Sequence, residues 1–201
     1  MICVIDYGMG NLRSVSKALE KSGAKVLVSS EASDIERADK IVLPGVGAFG
    51  GGSEELQKRA LFEPIRDGIA QKKPFLGICL GMQLLFEESE ESPEVQGLAV
   101  FPGKVRRFQT SLKIPHMGWN EVKIRKKDSR AFKGIASKDF FYFVHSFYAV
   151  PQNPGIILGT TEYGGEEFAS FVSEGPVWAC QFHPEKSQDA GLQILKNFAD
   201  L

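Results

Sequence analysis

Three features are scarce or missing in this sequence: cysteine, long apolar runs and an excess of charge of either sign. The 201 residues include 3 cysteines with no C-x-x-C pair, which is typical of neither a disulfide framework nor a structural zinc site and leaves a single reactive thiol open. No run of about 18 apolar residues occurs and the N-terminus lacks the pattern of a signal peptide, so we expect a cytoplasmic protein. A formal net charge of −1 argues against a nucleic-acid binder or a membrane-surface protein.

The composition is otherwise typical of a folded globular chain. Hydrophobic residues make up 43% and charged residues 24%, and the length favours one domain over residues 1–201. Glycine is the outlier with 21 residues, which indicates tight turns or close backbone approaches. Residues 104–138 hold eleven Lys or Arg against two acids. A solvated strand surface explains this basic segment best, and a face for an acidic partner or a phosphorylated ligand stays open.

The first half alternates short apolar runs with helical patterns, which predicts an α/β fold with a mostly parallel sheet flanked by helices. We expect strands over 2–5, 25–28, 40–43 and 75–78. The expected helices begin at Leu12 behind Asn11 as N-cap and continue with 54–60, 64–70 and 82–86.

After about residue 100, strand patterns are separated by Pro, Gly and Asn, which predicts a smaller mixed or antiparallel β elaboration. The expected strands are 105–108, 120–124, 140–144, 156–161, 168–172 and 177–182. A last helix over 189–198 follows Ser187 as N-cap.

A cysteine lies where the fourth strand gives way to a helix. Cys79 is the centre of Gly77-x-Cys79-x-Gly81, a cysteine version of the nucleophile elbow, in which glycines permit the sharp turn that lifts the side chain above the sheet. The N-terminus of the following helix favours the thiolate over the thiol. Taken alone, the motif is equally compatible with a buried structural cysteine.

A histidine and a carboxylate near the C-terminus are the partners that a nucleophilic cysteine needs. His183 ends an apolar strand and Glu185 follows two residues later, so both side chains project to the same side of an extended segment. Glu185 can then orient His183 while the other ring nitrogen faces the thiol, as in a Cys-His-Glu triad. This pair favours catalysis, since a redox-sensing cysteine needs no oriented base.

A glycine-rich loop follows the third strand. Residues 45–50 match the G-x-G-x-x-G pattern of dinucleotide sites, but in those sites the pattern follows the first strand. The alternative is an oxyanion site, because glycines let backbone amides approach a carbonyl bound over Cys79. The amide of Leu80, directly after the nucleophile, would be the second donor.

These motifs occur together in one known family. Residues 43–47, 77–83 and 183–185 follow one another as in class I glutamine amidotransferases, which the chain resembles over most of its length. Further segments resemble the glutaminase subunits of imidazole glycerol phosphate synthases, namely 6–11, 115–120, 143–146 and 183–187. The resemblance implies a flavodoxin-like α/β fold, hydrolysis of L-glutamine to glutamate and ammonia, and neither a cofactor nor a metal.

The resemblance also implies roles for particular residues. Cys79 would attack the side-chain amide of glutamine, His183 would protonate the leaving ammonia and activate water, and Glu185 would orient His183. The implied oxyanion donors are Val46 or Gly47 together with Leu80. The residues implied to hold glutamine are Gly45, Gln83, Glu91, Ser146 and Phe147.

A partner is implied as well: a (β/α)8-barrel cyclase subunit that forms a heterodimer with the chain and uses the ammonia in histidine biosynthesis. The residues implied to face it are Asn11, Trp119, Asn120 and Lys186, although Trp119 could instead fill the core and Lys186 could be merely solvated. Two other functions stay open: a glutaminase subunit of another synthase, such as the one that makes pyridoxal phosphate, and a noncatalytic redox sensor. Because glycines at 45 and 47 make a peptide flip cheap, we expect little activity before the partner binds.

Overall fold

In the computed structural model, which describes all 201 residues, strands alternate with helices along the first half of the chain. The four strands are β1 (Ile2–Ile5), β2 (Val26–Ser29), β3 (Lys40–Gly45) and β4 (Phe75–Cys79). The five helices are α1 (Leu12–Lys21), α2 (Ala32–Arg37), α3 (Phe49–Lys58), α4 (Phe62–Ala70) and α5 (Leu80–Gln83). Every residue of β1 and β4 is buried, as expected for parallel strands covered on both faces.

The second half consists mainly of strands and ends in one helix. The first five of these strands are β5 (Phe86–Ser89), β6 (Phe101–Arg107), β7 (His116–Glu121), β8 (Lys123–Ile124) and β9 (Phe140–His145). The remaining elements are β10 (Phe147–Pro151), β11 (Ile157–Tyr163), β12 (Glu166–Glu174), β13 (Val177–Cys180) and α6 (Gln188–Ala199). None of the helices has the length and apolar character needed to cross a bilayer.

Three sheets result from this order. The largest has eight strands in the order β2-β1-β3-β4-β13-β12-β11-β8, and its first five strands are mutually parallel while the last three join antiparallel. A three-stranded sheet has the order β10-β6-β5, and β7 pairs with β9 in a third sheet. Two clusters of buried apolar side chains form the core.

The register of the large sheet brings the catalytic motifs to one edge. Gly45 pairs with Cys79 and Ile78 pairs with Cys180, so β3, β4 and β13 all end at the same level. Because the carboxyl ends of adjacent parallel strands open onto a common crevice, the loops that follow them meet there.

The predicted mostly parallel sheet with a smaller β elaboration is confirmed, but the helix predicted over 82–86 is wrong. The carbonyl groups of Leu84 and Leu85 accept hydrogen bonds from the backbone of Leu98 and Val100, so the chain leaves the helix after α5. Phe86 then begins strand β5 instead of ending a helix.

Other element boundaries also differ from the prediction. Helix α3 begins at Phe49, well before residue 54, although its first turn contains three successive glycines. The strand predicted over 120–124 is interrupted at Val122. Ser187 does precede α6, but its hydroxyl donates to the carbonyl of His183 and does not cap the helix. Helix α2 and strand β10 are additional elements.

The basic segment 104–138 is partly neutralised by acids that lie outside it. Lys104 and Arg106 are 3.9 and 3.6 Å from Glu90. Arg125 is 2.5 Å from Glu167 on the neighbouring sheet surface. These half-exposed pairs agree with a solvated strand surface.

Candidate active site

The nucleophile elbow predicted at Cys79 has the expected backbone strain. Cys79 stands between β4 and α5 with φ 54° and ψ −105°, a conformation that residues with a side chain rarely adopt. The side chain is 6% exposed, so the sulfur is reached only from the crevice above the sheet.

The two glycines around Cys79 are required by close backbone contacts. A Cβ on Gly77 would lie 2.6 Å from the carbonyl oxygen of Gly81. A Cβ on Gly81 would overlap the carbonyl oxygen of Leu43 in β3. Any larger residue at either position would therefore push the elbow away from the sheet.

The predicted base and its orienting carboxylate are hydrogen-bonded to each other. Nδ1 of His183 lies 2.9 Å from Oε1 of Glu185, and the two side chains are 2% and 1% exposed. Nε2 of His183 has no hydrogen-bond partner and is left to face Cys79. The structure thus brings Cys79, His183 and Glu185 together in the order nucleophile, base and orienting group.

The charge on His183 is stabilised by its two neighbours. Burial lowers the pKa of its imidazole, but the contacts with Cys79 and Glu185 outweigh burial and raise the pKa to about 10. A protonated imidazole beside the sulfur stabilises negative charge that develops there.

The glycine loop after β3 leaves backbone donors free. The N–H groups of Val46 and Gly47 make no hydrogen bond within the chain, and Leu80 is the first residue of α5, where an N–H has no partner inside the helix. Gly45 has no room for a side chain because Tyr7 and Leu80 pack against it. Three backbone N–H groups near Cys79 therefore have no partner within the chain.

A cavity of about 330 Å³ opens in front of Cys79. Most of the residues predicted to bind glutamine or its oxyanion line it, namely Val46, Gly47, Leu80, Gln83, Glu91, Ser146 and Phe147. Gly45 lies behind the loop and does not line the cavity, because its Cα faces Tyr7.

Two of the lining side chains are already engaged by the protein. Oε2 of Glu91 accepts the N–H of Phe49 at 2.7 Å, which satisfies a free donor at the start of α3. Nε2 of Gln83 donates to the carbonyl of Phe147 at 2.9 Å. These bonds fix two walls of the cavity relative to the elbow.

One residue in contact with the nucleophile was not predicted. Nε2 of Gln181 lies 3.6 Å from Sγ of Cys79, and the Gln181 side chain is fully buried. It stands two residues before His183, just beyond the end of β13, and its contacts with Gln83 and Cys79 come from distant parts of the chain.

The other two histidines form a buried hydrogen-bonded pair beside the cavity. Nδ1 of His145 is 2.8 Å from the carbonyl of Phe147, and its Nε2 is 3.0 Å from Nδ1 of His116. Nε2 of His116 is 3.1 Å from the amide of Asn120. Because the Asn120 nitrogen only donates and the Phe147 carbonyl only accepts, the hydrogen bonds run in one direction, from Asn120 through both rings to Phe147. Both rings are therefore neutral.

The residues predicted to face a partner do not all lie on one surface. Trp119 is 46% exposed, so it does not fill the core. Its ring meets that of Tyr142 edge-on at 6.2 Å, and Nζ of Lys186 lies 5.6 Å above the same Tyr142 ring. Asn120 points to the opposite face of β7, toward His116. Asn11 caps α1 through Ser14.

Met117 and Phe140 extend the Trp119 surface, with 62% and 52% of their area exposed. Met117 pairs with Val144 and Trp119 pairs with Tyr142 across β7 and β9, and Val144 also lines the cavity at Cys79. We call Met117, Trp119, Phe140, Tyr142 and Lys186 the aromatic face. An exposed apolar surface of this kind is typical of a protein-binding site.

Comparison with known proteins agrees with this site. The family model for glutamine amidotransferase class-I matches residues 3–201. The chain therefore belongs to the class I glutamine amidotransferases, a family of enzymes, as the sequence motifs predicted. A solved glutamine amidotransferase has the same fold, with a TM-score of 0.78 at 18% identity and 100% of both chains covered.

Closer relatives are found among curated proteins. The imidazole glycerol phosphate synthase subunit HisH of Chlorobaculum tepidum is 48% identical over 201 residues, which cover 100% of both chains. The subunit of the same name from Rhodopirellula baltica is 50% identical over 99% of this chain and 97% of the relative.

Proposed function

We propose that this protein is the glutamine-hydrolysing subunit of an imidazole glycerol phosphate synthase. The observation that carries the proposal is the buried Cys79, His183 and Glu185 arrangement beside a cavity that contains free backbone donors. The full-length similarity to synthase subunits named HisH supports this choice among glutaminases. We infer that the protein acts in the cytoplasm, where this biosynthesis would take place.

In the first half of the reaction, the thiolate of Cys79 attacks the side-chain amide carbon of glutamine. The carbonyl oxygen becomes an oxyanion, which the N–H of Leu80 and an N–H of the Val46–Gly47 segment stabilise. Each such donor typically contributes about 3–4 kcal/mol to the transition state. His183 then gives its Nε2 proton to the amide nitrogen, the C–N bond breaks, and ammonia leaves a thioester on Cys79.

In the second half, His183 accepts a proton from water as the water oxygen attacks the thioester carbon. The C–S bond breaks, glutamate leaves, and the thiolate of Cys79 and the protonated His183 are restored. Glu185 holds the Nδ1–H of His183 in both halves, so that Nε2 is always the nitrogen that exchanges the proton.

The amino-acid end of glutamine is held on the other side of the cavity. We assign its ammonium group to the oxygen of Glu91 that does not bind Phe49, since a carboxylate is the strongest available acceptor there. Gln83 and the backbone of Ser146 and Phe147 complete this wall. Substrate selection then depends on the distance between the Glu91 wall and the elbow.

The ammonia is used by a partner, which we propose is a (β/α)8-barrel cyclase subunit that docks on the aromatic face. Exposed Trp and Met side chains are typical of the centre of a protein interface, and Lys186 would then lie at its rim. The same hairpin forms part of the cavity wall through Val144, so the docked partner would lie next to the ammonia as it forms.

The proposal is tested by mixing the purified chain with glutamine and measuring ammonia and glutamate. Low release is expected from the chain alone, and much faster release when the cognate cyclase subunit and its phosphorylated substrate are added. Trp119→Ala should weaken the stimulation without altering the slow reaction of the isolated chain. Equal release in all mixtures would contradict coupling to this partner, and stimulation only by a pyridoxal phosphate synthase subunit would favour the alternative glutaminase function.

A further inference from the structure

Gln181 approaches the nucleophile from the same strand end as the catalytic histidine. Its backbone N–H donates to the carbonyl of Ser170 at 3.0 Å, which keeps the residue in line with β12 just beyond β13. Its side chain is fully buried. A buried amide must find partners for its polar atoms, and those of Gln181 lie inside the active site.

The hydrogen bonds of Gln83 fix which way the Gln181 amide points. Nε2 of Gln83 donates to the carbonyl of Phe147 and to Oε1 of Gln181, at 2.9 and 3.1 Å. Both hydrogens of the Gln83 amide are thus used, and the Gln181 oxygen is an acceptor. The Gln181 nitrogen therefore faces Sγ of Cys79 at 3.6 Å.

We propose that Gln181 is a further catalytic residue, whose amide donates a hydrogen bond to Sγ of Cys79 and stabilises the thiolate before it attacks glutamine. The role of that thiolate rests on the glutaminase function proposed above. A neutral donor stabilises the sulfur anion without taking the place of the proton on His183. It also offsets the carbonyl oxygen of Val144, which lies 4.0 Å from the sulfur and disfavours negative charge.

The proposal is tested by the rate at which iodoacetamide alkylates the protein between pH 5 and 9, since only the thiolate reacts. Cys79→Ala gives the background. That background should be small because Cys3 and Cys180 are buried, which raises their pKa. Gln181→Met removes the donor at similar length, and should shift the midpoint of the pH–rate profile upward by about one unit, so that alkylation is about tenfold slower at pH values below the parent's midpoint.

Ser170→Ala is the matched control, because Ser170 lies beside Gln181 in the same strand pair and its buried hydroxyl has no partner. Its profile should equal that of the parent. Gln181→Glu is the second variant, since it keeps an oxygen for Gln83 but replaces the donor with an acceptor. It should shift the midpoint in the same direction as Gln181→Met. Thermal unfolding of each variant shows whether it is folded.

Glutamine hydrolysis provides a second readout. Gln181→Met should lower kcat about tenfold and leave KM near the parent value, because the donor acts on the nucleophile and not on the bound substrate. An unshifted alkylation profile in a folded Gln181→Met or Gln181→Glu variant would overturn the proposal. Absence of ammonia release from the parent would instead refute the glutaminase function, and the alkylation profiles would still decide whether Gln181 stabilises the thiolate.

Discussion

Acid should destabilise this protein through its two buried neutral histidines. His116 and His145 are 3% and 6% exposed, and burial lowers their pKa values from 6.5 to about 4 and about 3. In the unfolded chain both imidazoles bind a proton below pH 6.5, whereas in the folded chain they stay neutral. Their contribution to stability is therefore complete above pH 6.5 and is lost as the pH falls toward 4.

The size of the effect follows from the difference between folded and unfolded pKa values. At pH 5 each unfolded imidazole is about 1.5 units below its ordinary pKa, which corresponds to about 2 kcal/mol. At pH 5 the two histidines together therefore lower the free energy of unfolding by about 4 kcal/mol. This is a large part of the roughly 5–15 kcal/mol that stabilises a typical domain. His183, whose pKa is raised to about 10, acts in the opposite direction, because its unfolded imidazole releases the proton as the pH rises through 6.5 while the folded one keeps it. This offsets about 1 kcal/mol of the loss between pH 7 and pH 5.

Urea unfolding at pH 7, 6 and 5 measures this loss of stability. Between pH 7 and pH 5 the free energy of unfolding should fall by about 3 kcal/mol in the parent and by about 1 kcal/mol in His116→Gln. His183→Gln is the control, since it also removes a histidine yet should steepen the acid slope, to a fall of about 4 kcal/mol. NMR titration of the imidazoles gives an independent check. Titration of His116 and His145 near pH 6.5, or a free energy independent of pH over this range, would refute the reasoning.

Three further predictions concern the elbow and the triad. Cys79→Ala should abolish ammonia release. The free energy of unfolding of Cys79→Gly should be about 1 kcal/mol higher than that of Cys79→Ala, because glycine adopts φ 54° without strain. Equal free energies of unfolding would argue against strain. Glu185→Gln should also lower kcat, but it should keep a kcat roughly a hundred times that of Cys79→Ala. Equal losses of kcat in the two variants would give Glu185 a direct chemical role. Gly81→Ala should fail to melt cooperatively in circular dichroism, since its Cβ would overlap Leu43; a parent-like melting curve would contradict this.

The parts of the fold and site that could be predicted are those encoded by local patterns. Strands β1 to β4 are short apolar runs, and Gly77 and Gly81 around the cysteine predict the elbow. His183 and Glu185 do meet as predicted, but the predicted extended segment is wrong, because Pro184–Lys186 is a 3-10 helix and this turn brings the carboxylate back to the ring.

The remaining features depend on contacts between distant parts of the chain. Gln181 meets Gln83 and Cys79 across 98 and 102 residues, and no local pattern carries that information. The early start of α3 depends on Glu91, which binds the N-terminal amide of the helix from 42 residues away. Helix α5 ends early because backbone groups near Leu98 take the carbonyls that would continue it. In each case a tertiary contact overrides the intrinsic preference of the segment.

The position of β13 has a consequence for the order in which the protein can assemble. This strand comes last in the sequence but lies between β4 and β12, so it is the only strand that joins the parallel half of the sheet to the antiparallel half. A growing chain on the ribosome cannot close the sheet before residue 180 has been made. Because His183, the proposed base, lies three residues beyond the end of β13, activity should return on refolding only as the two halves join, and its recovery would report the slow long-range step.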